Sequence, residues 1–263
     1  MSRRRAWIGI IGNGFVGASL AARIADDRSL GLDVAFVAAR HPRKGELGLA
    51  TVSADLVAER GADLVVEAAH PDITRALGRS ILRSADYLPL STTALVDDDL
   101  RADLEATAQD AGTRLVLPHG ALVGGDSLLE WREQWAAVTI TFRKHPRAID
   151  FAVSGIDPAG IAGPTTLYDG PVRGIAPMFP RNVNTMVTCA LATVGLDACR
   201  GVLVADPALD VAVAEVVAIG KDGSRLETTR RQPAVGVSGT EMMASLLRSI
   251  QVATGRLGRP ALA

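Results

Sequence analysis

The sequence predicts an α/β chain in two parts: a doubly wound parallel sheet over residues 1–120, then a second α+β domain with a largely antiparallel sheet over residues 121–237. Short apolar runs alternate with amphipathic helical stretches as far as Leu117, the arrangement of parallel strands linked by crossover helices. A glycine-rich turn stands between the first run and the first helix. After Pro118 the character changes to longer apolar or alternating runs, one of them closed by the turn residues Lys221-Asp222-Gly223. The last segment, 238–263, reads as a helix that packs back on the first part.

Composition narrows the classes of function. The 263 residues are 48% hydrophobic and 22% charged, with 26 Gly and 13 Pro, as in a globular protein. With 28 Lys+Arg against 29 Asp+Glu, the net charge of −1 implies no drive toward nucleic acid or an anionic membrane. Lysine occurs only at 44, 144 and 221, so lysine chemistry has three candidates. Cys189 and Cys199 lack ligand spacing, and none of the four histidines belongs to a metal-binding pair, so no metal is expected. Arg3-Arg4-Arg5 followed by apolar Ala6 to Ile11 superficially resembles an export signal. Glycines, Asn13 and Asp26-Asp27 soon break the stretch, so a cytoplasmic protein without a membrane span is expected.

The first strand, Trp7 to Ile11, enters Gly12-Asn13-Gly14-Phe15-Val16-Gly17, and a helix follows with Val16, Leu20 and Ile24 on one face. In this GxGxxG the glycines permit a tight turn, close approach of a pyrophosphate and close packing of helix on strand, while the helix N-terminus offers N–H groups to phosphate. This Rossmann-type context makes Gly12, Gly14, Phe15, Val16 and Gly17 candidate cofactor-binding residues. The second strand, Val34 to Ala39, ends where NAD-preferring folds usually place an acid. Ala39 stands there, followed by the basic Arg40-His41-Pro42-Arg43-Lys44. Arg40 and His41 are therefore candidates for a ribose 2′-phosphate, favouring NADP(H) over the also possible NAD(H).

A strand over Asp63 to Ala69 leads through His70-Pro71-Asp72 into a helix from Ile73 to Arg83. A strand from Tyr87 to Leu90, a helix from Asp97 to Ala111 and a last strand from Thr113 to Leu117 complete the sheet. Ligands bind such sheets at the carboxyl ends of the strands, which makes His70, Thr92, Thr93 and His119 candidates near a nicotinamide, with Ala69 a candidate cofactor contact beside His70. Farther on, Trp135 to Phe142, Asp150 to Val153, Leu209 to Ile219 and Ser224 to Arg230 read as strands, and Asn182 to Val194 as a buried helix. Ser238-Gly239-Thr240-Glu241 reads as a capping box opening the last helix, through about Arg256.

Beyond the glycine loop, the chain carries Pro118-His119-Gly120-Ala121-Leu122 with Gly124 and Asp126, then Arg143-Lys144, Tyr168-Asp169-Gly170-Pro171, Phe179-Pro180-Arg181-Asn182-Val183-Asn184 and Ala205-Asp206-Pro207. With these segments it resembles the L-aspartate dehydrogenase family, whose members interconvert L-aspartate and iminosuccinate with NAD(P). The resemblance implies cofactor contacts for Ala121 and Asn184, with Asn182 at the substrate or in a helix cap.

Two departures stand out. The family's histidine, its presumed acid/base, is Ala214 here, and the following Glu215 points to the opposite face of a strand. The family's Asn-Pro-Lys-Thr-Ser-like segment is Gly236-Val237-Ser238-Gly239-Thr240, so its lysine is absent, leaving Ser238 and Thr240 as hydrogen-bonding candidates for substrate. His119 is the candidate replacement acid/base, and also a candidate substrate contact. The leading expectation is an NAD(P)-dependent dehydrogenase acting on a CH–NH2 donor, L-aspartate, with a small molecule as partner and a homodimer as assembly. The rivals are a dehydrogenase or reductase for another amino acid, imine or carbonyl, and a non-catalytic NADP(H)-binding sensor.

Overall fold

Strand β1 (Ala6–Ile11) lies at the centre of a five-stranded parallel sheet in the computed structural model, which describes residues 4–120, 122–235, 238–239 and 242–256. The chain separates into two units, residues 1–118 with 243–263, and residues 119–242. In the first unit β1 is followed by α1 (Phe15–Asp26), β2 (Leu32–Ala39), β3 (Leu47–Gly48), α2 (Ala54–Glu59), β4 (Leu64–Glu67), α3 (Pro71–Leu82), β5 (Asp86–Pro89) and α4 (Asp98–Ala111). The strand order is β3-β2-β1-β4-β5, so the order of strand addition switches from one side of β1 to the other between β3 and β4.

One face of this sheet carries Ala6, Ile8, Ile10, Leu64, Val66 and Leu88. It packs on Leu20 and Ile24 of α1 and on Leu246, Leu247, Ile250 and Ala253 of α8 (Met242–Ala253). Each fully buried aliphatic side chain contributes roughly 1.5–3 kcal/mol. The other face meets α3, where Thr74 Oγ1 and the fully buried Tyr87 hydroxyl are 3.0 Å apart. Local signals set the helix bounds: His70 caps α3 with Pro71 at its first position, and Asp97 accepts from Leu100 N to open α4. Gly112, at φ +67°, closes α4 in the left-handed conformation that glycine adopts most easily.

The second unit contains α5 (Gly125–Glu130), β6 (Trp135–Lys144), β7 (Thr165–Pro171), α6 (Val172–Ile175), α7 (Asn184–Ala192), β8 (Arg200–Ala205), β9 (Val211–Gly220), β10 (Arg225–Val235) and β11 (Ser238–Gly239). Its six-stranded sheet has the order β11-β10-β9-β6-β8-β7, with β6 and β8 parallel and the other pairs antiparallel. Val138, Ile140 and Phe142 of β6 lie buried on one face. A Cβ on Gly201, beside Ile140, would meet Val172, Ile175 and Met186, so this is the face that α6 and α7 cover.

Three expected elements are corrected. Thr113–Leu117 is only a bridge from Leu115 to Tyr87, because Asp86 draws both the backbone and the guanidinium of Arg114 to its carboxylate. Asp150–Val153 is not a strand: Asp150 N donates to Asn182 Oδ1 and Ala152 N to Asp150 Oδ1, which removes the donors a ladder needs. Ser238 and Gly239 pair with Val235 and Ala234 as β11, so Ser238 does not open the last helix, which starts at Met242. Thr240 and Glu241 lie outside the described residues.

Candidate functional site

The glycine loop of the first unit is shaped by close contacts. Gly12 has φ +111°, and a Cβ there would lie 2.6 Å from Ala68 O, next to the Cβ of Ala69. A Cβ on Gly17 would lie 1.9 Å from Gly12 O, so only glycine lets α1 approach the strand this closely. Gly14 differs, since a Cβ there would meet nothing within 4 Å. The fold itself leaves that position open, as close approach of a ligand requires. No side chain caps α1 and no acid lies in its first turn, so its positive end is left to an anion. Val16 packs against the core, whereas Phe15 is 72% exposed. These residues fit a dinucleotide pyrophosphate.

Around that loop, Arg40, His41, Arg43 and Lys44 are all exposed beyond β2. Asn13 Nδ2 donates to His41 O at 3.0 Å and to Glu46 Oε2 at 2.7 Å, and Glu46 also accepts from Arg43 N. That backbone bond holds the Glu46 carboxyl below its ordinary range. His70 accepts from Asp72 N through Nδ1, which makes it an N-cap beside Ala69. Thr93 is buried within the short 3-10 turn Thr92–Val96.

Glu67 ends β4 and is completely buried. Its carboxylate accepts from Ala69 N (2.6 Å), His70 N (2.8 Å), Ser91 N (3.0 Å) and Ser91 Oγ (3.1 Å). Burial raises its pKa, and the hydrogen bonds from Ala69, Ser91 and His70 oppose that rise. Glu67 thus ties together the two loops that carry Ala69, His70 and Thr93.

In the second unit, two of the segments singled out in sequence meet. A Cβ on Gly120 would lie 2.9 Å from Thr185 Oγ1, so the His119-Gly120 turn rests on the first residues of α7, where Asn184 stands. His119 Nε2 is 3.3 Å from Asp126 Oδ1 on α5. Asn182 is buried, with Oδ1 accepting from Asp150 N and Nδ2 donating to Ala148 O. Both ends of its amide thus hold the loop after β6. Ala121, Thr240 and the side chain of Ser238 lie outside what the structure describes.

Ala214 sits between Phe142 and Arg230 in the register, on the helix-covered face. Glu215 projects the other way, with Oε2 3.4 Å from Arg143 Nε. On the same face as Ala214, Lys144 is 9% exposed, and its Nζ lies 5.2 Å from the centroid of the Phe142 ring. Burial, then the charge of Arg230, lowers its pKa to about 8. Sequence reasoning missed Glu46, Glu67 and the burial of Lys144. A glutamate inside the apolar run Leu64–Ala68 was the one available signal.

Among the described residues no group of three or more His, Cys, Asp or Glu could hold a metal ion, and no helix is long and apolar enough to cross a membrane.

A dinucleotide-binding parallel sheet joined to a mixed-sheet domain defines the class: an NAD(P)-binding oxidoreductase. Residues 12–118 match the NAD-binding domain of homoserine dehydrogenase, and residues 129–251 match the C-terminal domain of aspartate dehydrogenase. An aspartate dehydrogenase domain-containing protein of Xenopus tropicalis is 35% identical, over 97% of each chain. The L-aspartate dehydrogenase of Ruegeria pomeroyi is 32% identical, over 83% of this chain and 81% of its own. The crystal structure of aspartate dehydrogenase from Thermotoga maritima shares the fold, with a TM-score of 0.75 over 98% of this chain and 100% of that one, at 23% identity. The chain belongs to the aspartate dehydrogenase-like family.

Proposed function

We propose that the chain transfers a hydride between the nicotinamide of NADP(H) and the Cα of L-aspartate. The observation that carries this reading is the seating of Gly120 on Thr185, which gathers His119, Asp126 and the start of α7 into one polar patch. A bound nicotinamide supplies the hydride donor or acceptor. Gly12 to Gly17 and the N-terminus of α1 would hold the pyrophosphate, and Asn184 the carboxamide, through its paired donor and acceptor. In the oxidative direction His119 takes the proton from the substrate ammonium before the hydride leaves Cα, and water then releases oxaloacetate and ammonium. Asp126, 3.3 Å away, orients the imidazole.

The exposed Arg40, His41, Arg43 and Lys44 support NADP(H). A second reading, NAD(H), is favoured by Glu46, because a carboxylate bonded to Asn13 would accept ribose hydroxyls and repel a phosphate. Ala214 favours a further alternative, another amino acid, imine or carbonyl as substrate.

The test is loss of NADPH or NADH absorbance by the purified protein with oxaloacetate and ammonium, beside a panel of other 2-oxo acids. Turnover with oxaloacetate that vanishes in Asn184→Ala supports the proposal. Turnover of a different acid reassigns the substrate, and cofactor binding without any turnover leaves a binding protein.

A further inference from the structure

Three loops share the carboxyl edge of the parallel sheet: the glycine loop after β1, residues 68–70 after β4 and residues 90–93 after β5. The strand order sets β2 and β3 on one side of β1, and β4 and β5 on the other. A dinucleotide lies across such a switch with one mononucleotide on each side. Arg40 to Lys44 and Glu46 follow β2, so the adenosine half belongs there and the nicotinamide half over the ends of β4 and β5. A Cβ on Gly12 would touch Ala68 O and the Cβ of Ala69, so the loop after β4 also abuts the pyrophosphate turn.

Glu67 joins two of these loops. The ladder between β4 and β5 ends with Glu67 opposite Pro89, and Glu67 O accepts from Leu90 N at 2.8 Å. Beyond that last main-chain bond the side chain continues the connection: Oε2 accepts from Ser91 N, and Oε1 from Ser91 Oγ, Ala69 N and His70 N. The loops differ in exposure. Ser91 to Leu95 are buried, whereas Ala69 is exposed and Ala68 and His70 are half-buried. The carboxylate therefore ties an open loop to a packed one. Burying a charge is costly, and the need it meets here is geometric, because only a carboxylate presents two accepting oxygens to donors on two sides.

We propose that Glu67 is a positioning residue for the nicotinamide half of the cofactor. It is completely buried and touches no ligand. It acts through the peptide groups of Ala69 and His70, which it holds beside Gly12 where the nicotinamide ribose and ring would lie. His70 is also the N-cap of α3, with Nδ1 accepting from Asp72 N, so the same carboxylate fixes the start of that helix and the backbone from which the imidazole projects. Binding groups work only when their supporting contacts hold them to within ~0.5 Å, and this carboxylate is such a support. The role rests on NAD(P) binding by the chain and not on aspartate as its substrate.

The probes are NADPH and NADH beside ADP, which carries the adenosine and pyrophosphate but no nicotinamide, each titrated calorimetrically into the full chain and its Glu67→Gln variant. Glutamine keeps the size of the side chain but turns an NH2 group toward donors at one end, so the tie between the loops is lost. The reduced dinucleotides should bind about tenfold more weakly, the worth of one hydrogen bond to a charged group, while ADP binding stays within about twofold. Equal weakening of all three would show a general scaffold and overturn the proposal, as would unchanged binding of all three. Should circular dichroism show Glu67→Gln unfolded, Ser91→Ala decides: removing one of the four bonds should weaken the dinucleotides about threefold at unchanged ADP affinity, and no change overturns the role. Dinucleotide binding that responds in this way without turnover of oxaloacetate would keep the role and remove aspartate as the substrate. An unmodified chain that binds ADP but neither dinucleotide would overturn both.

Discussion

Glu67 in the first unit and Lys144 in the second are both buried charged residues at the carboxyl end of a strand, yet their surroundings are opposite. Glu67 has donors from two loops on both oxygens. Lys144 faces an aromatic ring and a second cation. Complete internal satisfaction marks a group whose task is to hold the protein in shape. A buried cation beside a ring and a like charge instead lowers stability until it is neutralised. The first unit is thus fastened by its buried charge, and the second is weakened by its own.

The largest effect is expected where that satisfaction is removed. Glu67→Ala strands three backbone N–H groups and the Ser91 hydroxyl, and should cost ~3 kcal/mol or more in urea unfolding. Glu67→Gln should cost less. Because the folded pKa of Glu67 is raised, the stability it contributes is complete below its ordinary 4.5 and is lost as pH rises above it. Glu67→Gln should therefore flatten that slope. Next, His119→Ala should lower kcat about 100-fold without changing NADPH affinity, as loss of a proton carrier does.

Lys144→Met should move in the opposite direction from Glu67→Ala and stabilise the ligand-free protein at pH 7 by ~1–3 kcal/mol. The sign follows from a folded pKa of about 8 against an ordinary 10.5: the unfolded chain binds the proton more tightly between those values. Stability of the unmodified protein should rise as pH increases through that window, and the rise should vanish in Lys144→Met. A destabilised Lys144→Met would erase the contrast between the two units. The smallest effect is expected from Glu46→Gln, which should shift the NADPH to NADH affinity ratio a few-fold toward NADPH by removing a negative charge beside the ribose.

The first unit was largely legible in the sequence because its signals are local. Gly12, Gly14 and Gly17 answer to spacing, the apolar runs to strand periodicity, and Asp97 and Pro71 to helix entry. The misread segments failed where side chains compete for backbone donors. Asp86 and Asn182 lie 28 and 32 residues from the donors they capture, and no window reaches that far. The second unit was less legible for the same reason. Lys144, Ala214 and Arg230 are far apart in the chain, and only the pairing register of three strands sets them on one face. Ala214 was noticed as a departure, but what surrounds it had no sequence signature.

The most direct test of the central claim follows the hydride itself. NADPH carrying deuterium at C4 would be supplied with oxaloacetate and ammonium, and the amino acid product examined by mass spectrometry. The account predicts aspartate labelled at its Cα, formed by the unmodified protein and not by Asn184→Ala. Unlabelled aspartate, or no aspartate from protein shown to bind NADPH, would contradict it.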